Sequence, residues 1–311
     1  TEIYTLSLHD ALPIWISMDF NGRDILSMED FSKEEIQTMM RVSGDMEKIF
    51  KEEKMSNLLS DKMVAVIFME PSTRTRLSFE TAVLRLGAKP ITVSDPKSSS
   101  AQKGESLEDM ARTVEGYVDC IVIRQPLTGG AKMIADAIDI PVINGGDGSG
   151  QHPTQALLDL YTIIKERGSL ENLKVAMVGD LKYGRTVHSL SYALAPFNPS
   201  YTYCAPKELQ MPDKIISDMK NRSIPVNLTG SIEEALKADI VYMTRIQKER
   251  FEDPAEYERL KGSYVLNREL IEKVNPKVTV LHPLPRVDEI ATDVDALPGA
   301  AYFRQAHNGA Y

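Results

Sequence analysis

The sequence predicts an α/β protein: two doubly wound parallel-sheet domains joined by a long helix, with the active site in the cleft between them. Three observations predict it. Short, β-prone apolar runs alternate with helical patterns, as in parallel sheets covered by helices on both faces. The alternation falls into two series, one before residue 150 and one after it. Between them, residues 154–167 are amphipathic and contain no Pro or Gly, so they can bridge two sheets as one helix.

In the first series, Ser32-Lys-Glu-Glu35 has the form of a capping box. Ile36, Met39, Met40, Val42 and Met46 follow it at mostly helical spacing. Residues 63–69, MVAVIFM, form a continuous apolar run, the pattern of a strand buried on both faces. A helix over 77–86 comes next, closed by Gly87. Further strands are expected at 91–93, 120–123 and 142–143. The second series offers strands at 175–178, 201–204, 226–228, 240–243 and 278–281, with a helix over 231–238 opened by a second box, Ser231-Ile-Glu-Glu234. The expected division is therefore residues 18–150 and 151–311. Residues 1–17 contain no Lys or Arg, so they lack the basic start of a secretory signal and the arginines of a transit peptide. They resemble translated sequencing-adapter read-through and are taken as a non-native or disordered segment, with Met18 opening the chain proper. At the other end, HNGAY stops without a helix stop signal, as if cut short.

Composition excludes several functions. The 311 residues carry 36 basic and 45 acidic side chains, a formal charge of −9. A general nucleic-acid binder, whose affinity rests on neutralising phosphates, is disfavoured. No apolar run approaches the ~20 residues of a membrane-spanning helix. Cys120 and Cys204 are the only cysteines, so there is no disulfide framework and no CxxC knuckle. Two unpaired thiols fit a reducing, cytoplasmic compartment. The five histidines show no metal-ligand spacing, and no cofactor is expected.

The chemistry-bearing segments follow predicted strands. Pro71-Ser72-Thr73-Arg74-Thr75-Arg76 comes straight after the first buried strand, at a helix start. Free N–H groups, the positive end of the helix dipole, hydroxyls and guanidiniums together supply what a phosphate monoester needs. No GxxxxGK[ST] loop occurs. The polar stretch from Ser98 to Glu105, with Ser99 and Lys103, has the composition of a surface loop that could close over an anion. Arg124 follows 120–123 at once. The glycines of 145–150 indicate a tight, backbone-exposed loop leading to Gln151-His152-Pro153-Thr154-Gln155. Gln151 breaks a dinucleotide fingerprint, and Asp147 precedes Ser149 where a nucleophile elbow needs glycine. The segments 180–185, 244–250 and 282–286 bring Arg185, Arg245 with Gln247, and Arg286 to further strand ends. Arginines repeatedly placed at strand C-termini in an acidic protein describe a cleft for a polyanion.

In order and spacing, STRTR with SFE behind it, KGE, HPTQ, DLKYGRT, RIQKER and HPLPR resemble the aspartate/ornithine carbamoyltransferase family. The similarity runs from about Met18 to the last residue and is strongest to the aspartate-using catalytic chains. Leu284 stands where ornithine-using relatives carry cysteine. The resemblance implies that Ser72, Thr73, Arg74 and Thr75 hold the phosphate of carbamoyl phosphate. It implies a homotrimer in which Ser99 and Lys103 reach in from the neighbouring subunit. Thr75, Arg124 and His152 would bind the carbonyl oxygen, while Gln155 and the Pro283 and Leu284 carbonyls hold the carbamoyl amide. Arg185, Arg245, Gln247 and Lys103 would clamp the carboxylates of L-aspartate. Arg74, Thr75, Lys103, Arg124 and His152 form the implied catalytic set. The reaction would be carbamoyl transfer to aspartate in de novo pyrimidine biosynthesis. A carbamoyltransferase for another amine acceptor and an inactive assembly subunit are the alternatives. Some such chains bind a separate zinc-containing regulatory chain. Three departures stand out: Gln125 where many relatives have His, Gly150 where Asn is usual, and a terminal helix returning to the first domain, which this chain would lack.

Overall fold

The computed structural model describes residues 20–94, 104–246 and 253–311. The leading segment 1–17 with Met18, and the residues Ser99, Lys103 and Gln247, lie outside the described residues.

The first half builds a four-stranded sheet from β1 (Met63–Phe68), β2 (Lys89–Val93), β3 (Cys120–Gln125) and β4 (Val142–Asp147). Its order is β2-β1-β3-β4, with every pair parallel. Its helices are α1 (Lys33–Glu52), α2 (Thr73–Arg85), α3 (Leu107–Glu115) and α4 (Gly130–Ala135). The continuous apolar run at β1 is explained by burial on both faces: Ala65 and Ile67 pack into one core cluster, Val64, Val66 and Phe68 into another. Each such large side chain removed from water contributes about 2 kcal/mol. The box at α1 closes as expected. The Glu35 N–H donates to Ser32 Oγ at 3.2 Å, and the Ser32 N–H donates to Glu35 Oε2 at 2.7 Å.

Helix α5 (Pro153–Arg167) crosses to the second half. There β5 (Lys174–Val178), β6 (Ser200–Cys204), β7 (Val226–Thr229), β8 (Ile240–Met243) and β9 (Thr279–Leu281) form a parallel sheet in the order β7-β6-β5-β8-β9. Its helices are α6 (Arg185–Leu194), α7 (Asp213–Asn221), α8 (Ile232–Ala235), α9 (Pro254–Leu260), α10 (Arg268–Val274) and α11 (Tyr302–Asn308). Both halves are thus doubly wound parallel-sheet units, and α5 is buried between them along Ala156, Leu160 and Ile163.

Three expectations change in detail. Helix α2 begins at Thr73, a turn before 77, because its first turn is polar and shows no apolar period. Helix α8 spans only four residues of the expected 231–238. Gly145, Gly146 and Asp147 are not an exposed loop: they extend β4 and are buried. Asn144 Oδ1 accepts the Gly146 N–H at 2.8 Å and holds this strand end in place.

The far end of α5 is tied to both halves. Lys165 Nζ reaches Glu47 of α1 and Asn308 Oδ1 of α11, while Arg304 forms two hydrogen bonds to Glu166 at 2.7 and 2.8 Å. The last residues lie against the first half: Ser78 Oγ of α2 donates to the Gly309 carbonyl at 2.6 Å, and the Tyr311 ring sits 6.0 Å from that of Phe50. Among the described residues, no helix is long and apolar enough to cross a membrane.

Candidate active site

In the first sheet, the chain leaves β1 toward β2 on one side and reaches β3 on the other. In the second sheet, β5 has β6 on one side and β8 on the other. These reversals open crevices at strand C-termini, the places where open α/β sheets bind ligands. Both face one cleft of about 1100 Å³.

From β1 the chain passes Glu70 and enters α2. The N-cap Ser72 is extended and its side chain caps nothing. The first helical bond runs from the Arg76 N–H to the Ser72 carbonyl at 3.3 Å, leaving the N–H groups of Thr73, Arg74 and Thr75 free of helix partners. Among the described residues, the side chains of Ser72, Thr73, Arg74 and Thr75 make no hydrogen bond. Donors, hydroxyls and the helix dipole are therefore free for an anion. Arg76 is not part of this seat, because it turns along α2 to within 3.7 Å of Glu80.

Across the cleft mouth Arg124, at the end of β3, meets Arg185, which opens α6. Glu70 Oε2 lies 3.4 Å from Arg124 Nε and 3.3 Å from Arg185 Nη2, with all three side chains mostly buried. Arg124 also donates to the Gly145 carbonyl at 3.3 Å, and Arg185 to the Gly148 carbonyl. The intervening Gly146 has φ +116°, and a Cβ there would stand 3.1 Å from Arg185 Cζ and 3.2 Å from Arg124 Nη1. Only glycine gives both the backbone conformation and the room for two guanidiniums.

His152 is the N-cap of α5. Its Nδ1 accepts the Gln155 N–H at 3.4 Å, which leaves Nε2 as the protonated nitrogen of the neutral ring. Burial, with Arg185 and Arg124 nearby, pushes its pKa well below the usual histidine value. The ring is therefore a neutral donor, not an acid. Its backbone N–H is fixed by Ser189 Oγ of α6 at 3.0 Å.

The second sheet supplies the opposite wall. Asp180 is buried after β5 and accepts the Tyr183 N–H at 3.0 Å, turning the chain so that Arg185 starts α6 at the cleft. Thr244 Oγ1 ties the end of β8 to the Val178 carbonyl at 3.0 Å, with Arg245 next. After β9, His282 Nε2 donates to Glu289 Oε1 at 2.6 Å, and its Nδ1 accepts the Leu284 N–H at 2.7 Å. Burial lowers the His282 pKa despite the carboxylate beside it. This turn, with a cis Leu284–Pro285 bond, carries Pro283 and Leu284 to the cleft.

One cleft thus gathers Ser72, Thr73, Arg74, Thr75, Arg124, His152, Gln155, Arg185, Arg245, Pro283 and Leu284. Arg286 is the exception among the strand-end arginines: it turns away to Asp295 and the Tyr302 hydroxyl. Thr244, from the expected segment 244–250, lines the cleft too, and Glu70 and Thr186 line it without having been anticipated. A carboxylate directly after a buried strand and before an arginine-rich helix start is the signal that could have found Glu70.

An anion seat on one wall and arginines on the other is the arrangement of a transferase that brings two anionic substrates together. The family described as aspartate/ornithine carbamoyltransferase matches twice, by its carbamoyl-P binding domain at residues 23–165 and its Asp/Orn binding domain at 171–311. The chain belongs to the aspartate/ornithine carbamoyltransferase family. It is 49% identical to the aspartate carbamoyltransferase catalytic subunit of Methanosarcina acetivorans, over 94% of this chain and 95% of that one. The solved catalytic subunit of M. jannaschii aspartate transcarbamoylase is 51% identical and superposes with a TM-score of 0.85 over 92% of this chain and 94% of its own. Trypanosoma cruzi aspartate transcarbamoylase, solved with carbamoyl phosphate and aspartate, is 36% identical, with a TM-score of 0.88 over 93% and 94%.

Proposed function

We infer that the chain transfers the carbamoyl group of carbamoyl phosphate to the amino group of L-aspartate, giving N-carbamoyl-L-aspartate and phosphate for pyrimidine biosynthesis. The observation that carries this is the pairing, in one cleft, of the anion seat at α2 with Arg185 and Arg245 on the facing wall.

In this reading Ser72, Thr73, Arg74 and Thr75 hold the phosphate. Thr75, Arg124 and the Nε2–H of His152 polarise the carbonyl and stabilise the oxyanion as the aspartate amine adds, typically the largest catalytic contribution. The C–N bond forms, the bond from carbon to the bridging oxygen breaks, and the departing phosphate takes the amine proton. Gln155 and the carbonyls of Pro283 and Leu284 accept from the carbamoyl NH2. Arg185, Arg245 and Gln247 receive the aspartate carboxylates, and holding both anions in place supplies the orientation effect. We assign residues 18–150 to the donor half and 151–311 to the acceptor half, with α5 at their boundary. Ser99 and Lys103 complete the site of a neighbouring subunit in a cytoplasmic homotrimer, on which a zinc-containing regulatory chain can dock.

The test is ureido-product formation by the purified chain with carbamoyl phosphate and either L-aspartate or L-ornithine. Product with aspartate alone is expected. Product with ornithine alone, or with neither, would overturn the reading.

A further inference from the structure

Beneath the cleft floor lies a polar cluster that the reaction, as described, does not use. Asp159 sits one turn after Gln155 on α5 and is fully buried, as are Tyr242 on β8 and, to within 1%, Gln305 on α11. Asp159 Oδ1 accepts from Gln155 Nε2 at 2.8 Å and from Gln305 Nε2 at 2.6 Å, and Oδ2 accepts from the Tyr242 hydroxyl at 2.9 Å. Gln305 Oε1 accepts the His282 N–H at 2.8 Å. One carboxylate is therefore tied directly to Gln155 and, through Gln305, to the residue that opens the Pro283–Leu284 turn.

This is an expensive arrangement if it serves packing alone. An ionised carboxylate in the interior is disfavoured, and burial pushes its pKa up to about 7 against the pull of three donors. Its chemical distinction is that Oδ1 can only accept, in either protonation state, because the Tyr242 hydroxyl can turn to accept when Oδ2 is protonated. A glutamine amide is nearly symmetric in shape, so its partner decides which end points where. Facing an acceptor, Gln155 must direct its NH2 inward, which leaves Oε1 for the cleft that the residue lines.

We propose that Asp159 is a positioning residue for the substrate's amide. It orients Gln155 with its oxygen toward the cleft and, through Gln305, sets the turn that presents the Pro283 and Leu284 carbonyls. Three acceptors then converge on one NH2 group, which is a filter for a carbamoyl against an acyl donor. The inference rests on the amide site assigned under the proposed function.

Acetyl phosphate, which carries a methyl group where carbamoyl phosphate carries NH2, is the discriminating probe. The wild-type chain, Asp159→Asn, Asp159→Leu and Gln305→Met are compared for carbamoyl phosphate KM, aspartate KM and inhibition by acetyl phosphate, with melting temperatures alongside. The wild type is expected to favour carbamoyl phosphate at least tenfold. Asp159→Leu is expected to raise the carbamoyl phosphate KM tenfold or more, with acetyl phosphate inhibition changed less than twofold. Asp159→Asn keeps an acceptor at Oδ1 and can place its Nδ2 against the Tyr242 oxygen, so it should stay within threefold of wild type. Should the leucine variant fail to fold, Gln305→Met, which keeps the Asp159–Gln155 bond but cuts the links to Asp159 and His282, is expected to lose part of the preference. Equal weakening of both ligands, an asparagine variant as impaired as leucine, or an undiminished preference in the leucine variant (or, where that does not fold, in Gln305→Met) would overturn the inference. A wild type without preference would instead overturn the amide site, and this inference with it.

Discussion

Replacing His152 separates its two duties. Its Nδ1 accepts the Gln155 N–H at the start of α5, and its ring lines the cleft. Loss of one oxyanion donor usually costs about 3 kcal/mol, a factor of about a hundred in kcat. Loss of an N-cap acceptor costs about 1 kcal/mol of stability. In His152→Asn the cap survives and the reach into the cleft does not, whereas His152→Ala loses both. Both variants should therefore fall about a hundredfold in kcat at saturating substrates, while only alanine lowers the melting temperature, by about 2 °C for a chain of this size. The pH dependence carries a second check. Burial, Arg185 and Arg124 hold the His152 pKa well below its usual value, so the ring stays neutral as pH falls from 7.5 to 6 and kcat should not drop on its account. Initial rates of carbamoylaspartate formation across that range are the assay. A loss under threefold in alanine, or a wild-type limb near pH 6.5 that vanishes in asparagine, would refute the reasoning.

Other outcomes follow from the same geometry. Arg245→Ala should raise the aspartate KM and lower turnover while leaving carbamoyl phosphate binding nearly intact, read from separate substrate titrations. Lys103→Ala and Arg74→Ala should each be almost inactive, yet recover activity when mixed and allowed to exchange subunits, because some hybrid sites carry neither lesion. Gly146→Ala forces a side chain to φ +116° against both guanidiniums, and should cost about 1–3 kcal/mol in denaturant melts and at least tenfold in activity. The buried His152, His188 and His282 all have lowered pKa values. The unfolded chain takes up their protons first, so stability should fall as pH drops below 6.5, by at most about 1.4 kcal/mol per unit for each. Asp159, with its pKa raised to about 7, opposes one of the three from about pH 7 down to the ordinary carboxylate range. Melts at pH 7.5, 6.5 and 5.5 measure the difference.

The strands were legible because both faces of a parallel sheet are covered, so β1 and β8 read as unbroken apolar runs that no surface segment needs. The anion seat was legible for a related reason: hydroxyls and arginines packed directly behind such a run have nothing apolar to do. Two kinds of feature were hidden. Helix starts without apolar residues, such as the first turn of α2, carry no period. Polar residues that work underground look like surface residues in sequence: Asp159 and Gln305 occupy polar positions of α5 and α11, and only the fold shows that those positions meet. Gln125 is similar, since its buried amide accepts the Leu127 N–H at 2.6 Å and shapes the bend after β3. The available hint was the spacing: Asp159 stands four residues from Gln155, one turn along the same face of the predicted helix.

Helix α5 is 15 residues long, so it spans about 22 Å. The groups meant for substrate, His152 and Gln155, stand at one tip, and the ties to Glu47, Asn308 and Arg304 grip the other. The helix is thus a pointer pivoted at its rear. A swing of about 5° at the grip sweeps the tip through about 2 Å, more than the ~1 Å misplacement that can cost a hundredfold in rate. Side chains about 15 Å along the helix from Gln155 therefore set the aim of the site. Loosening Arg304 from Glu166 would blur that aim without touching a substrate contact.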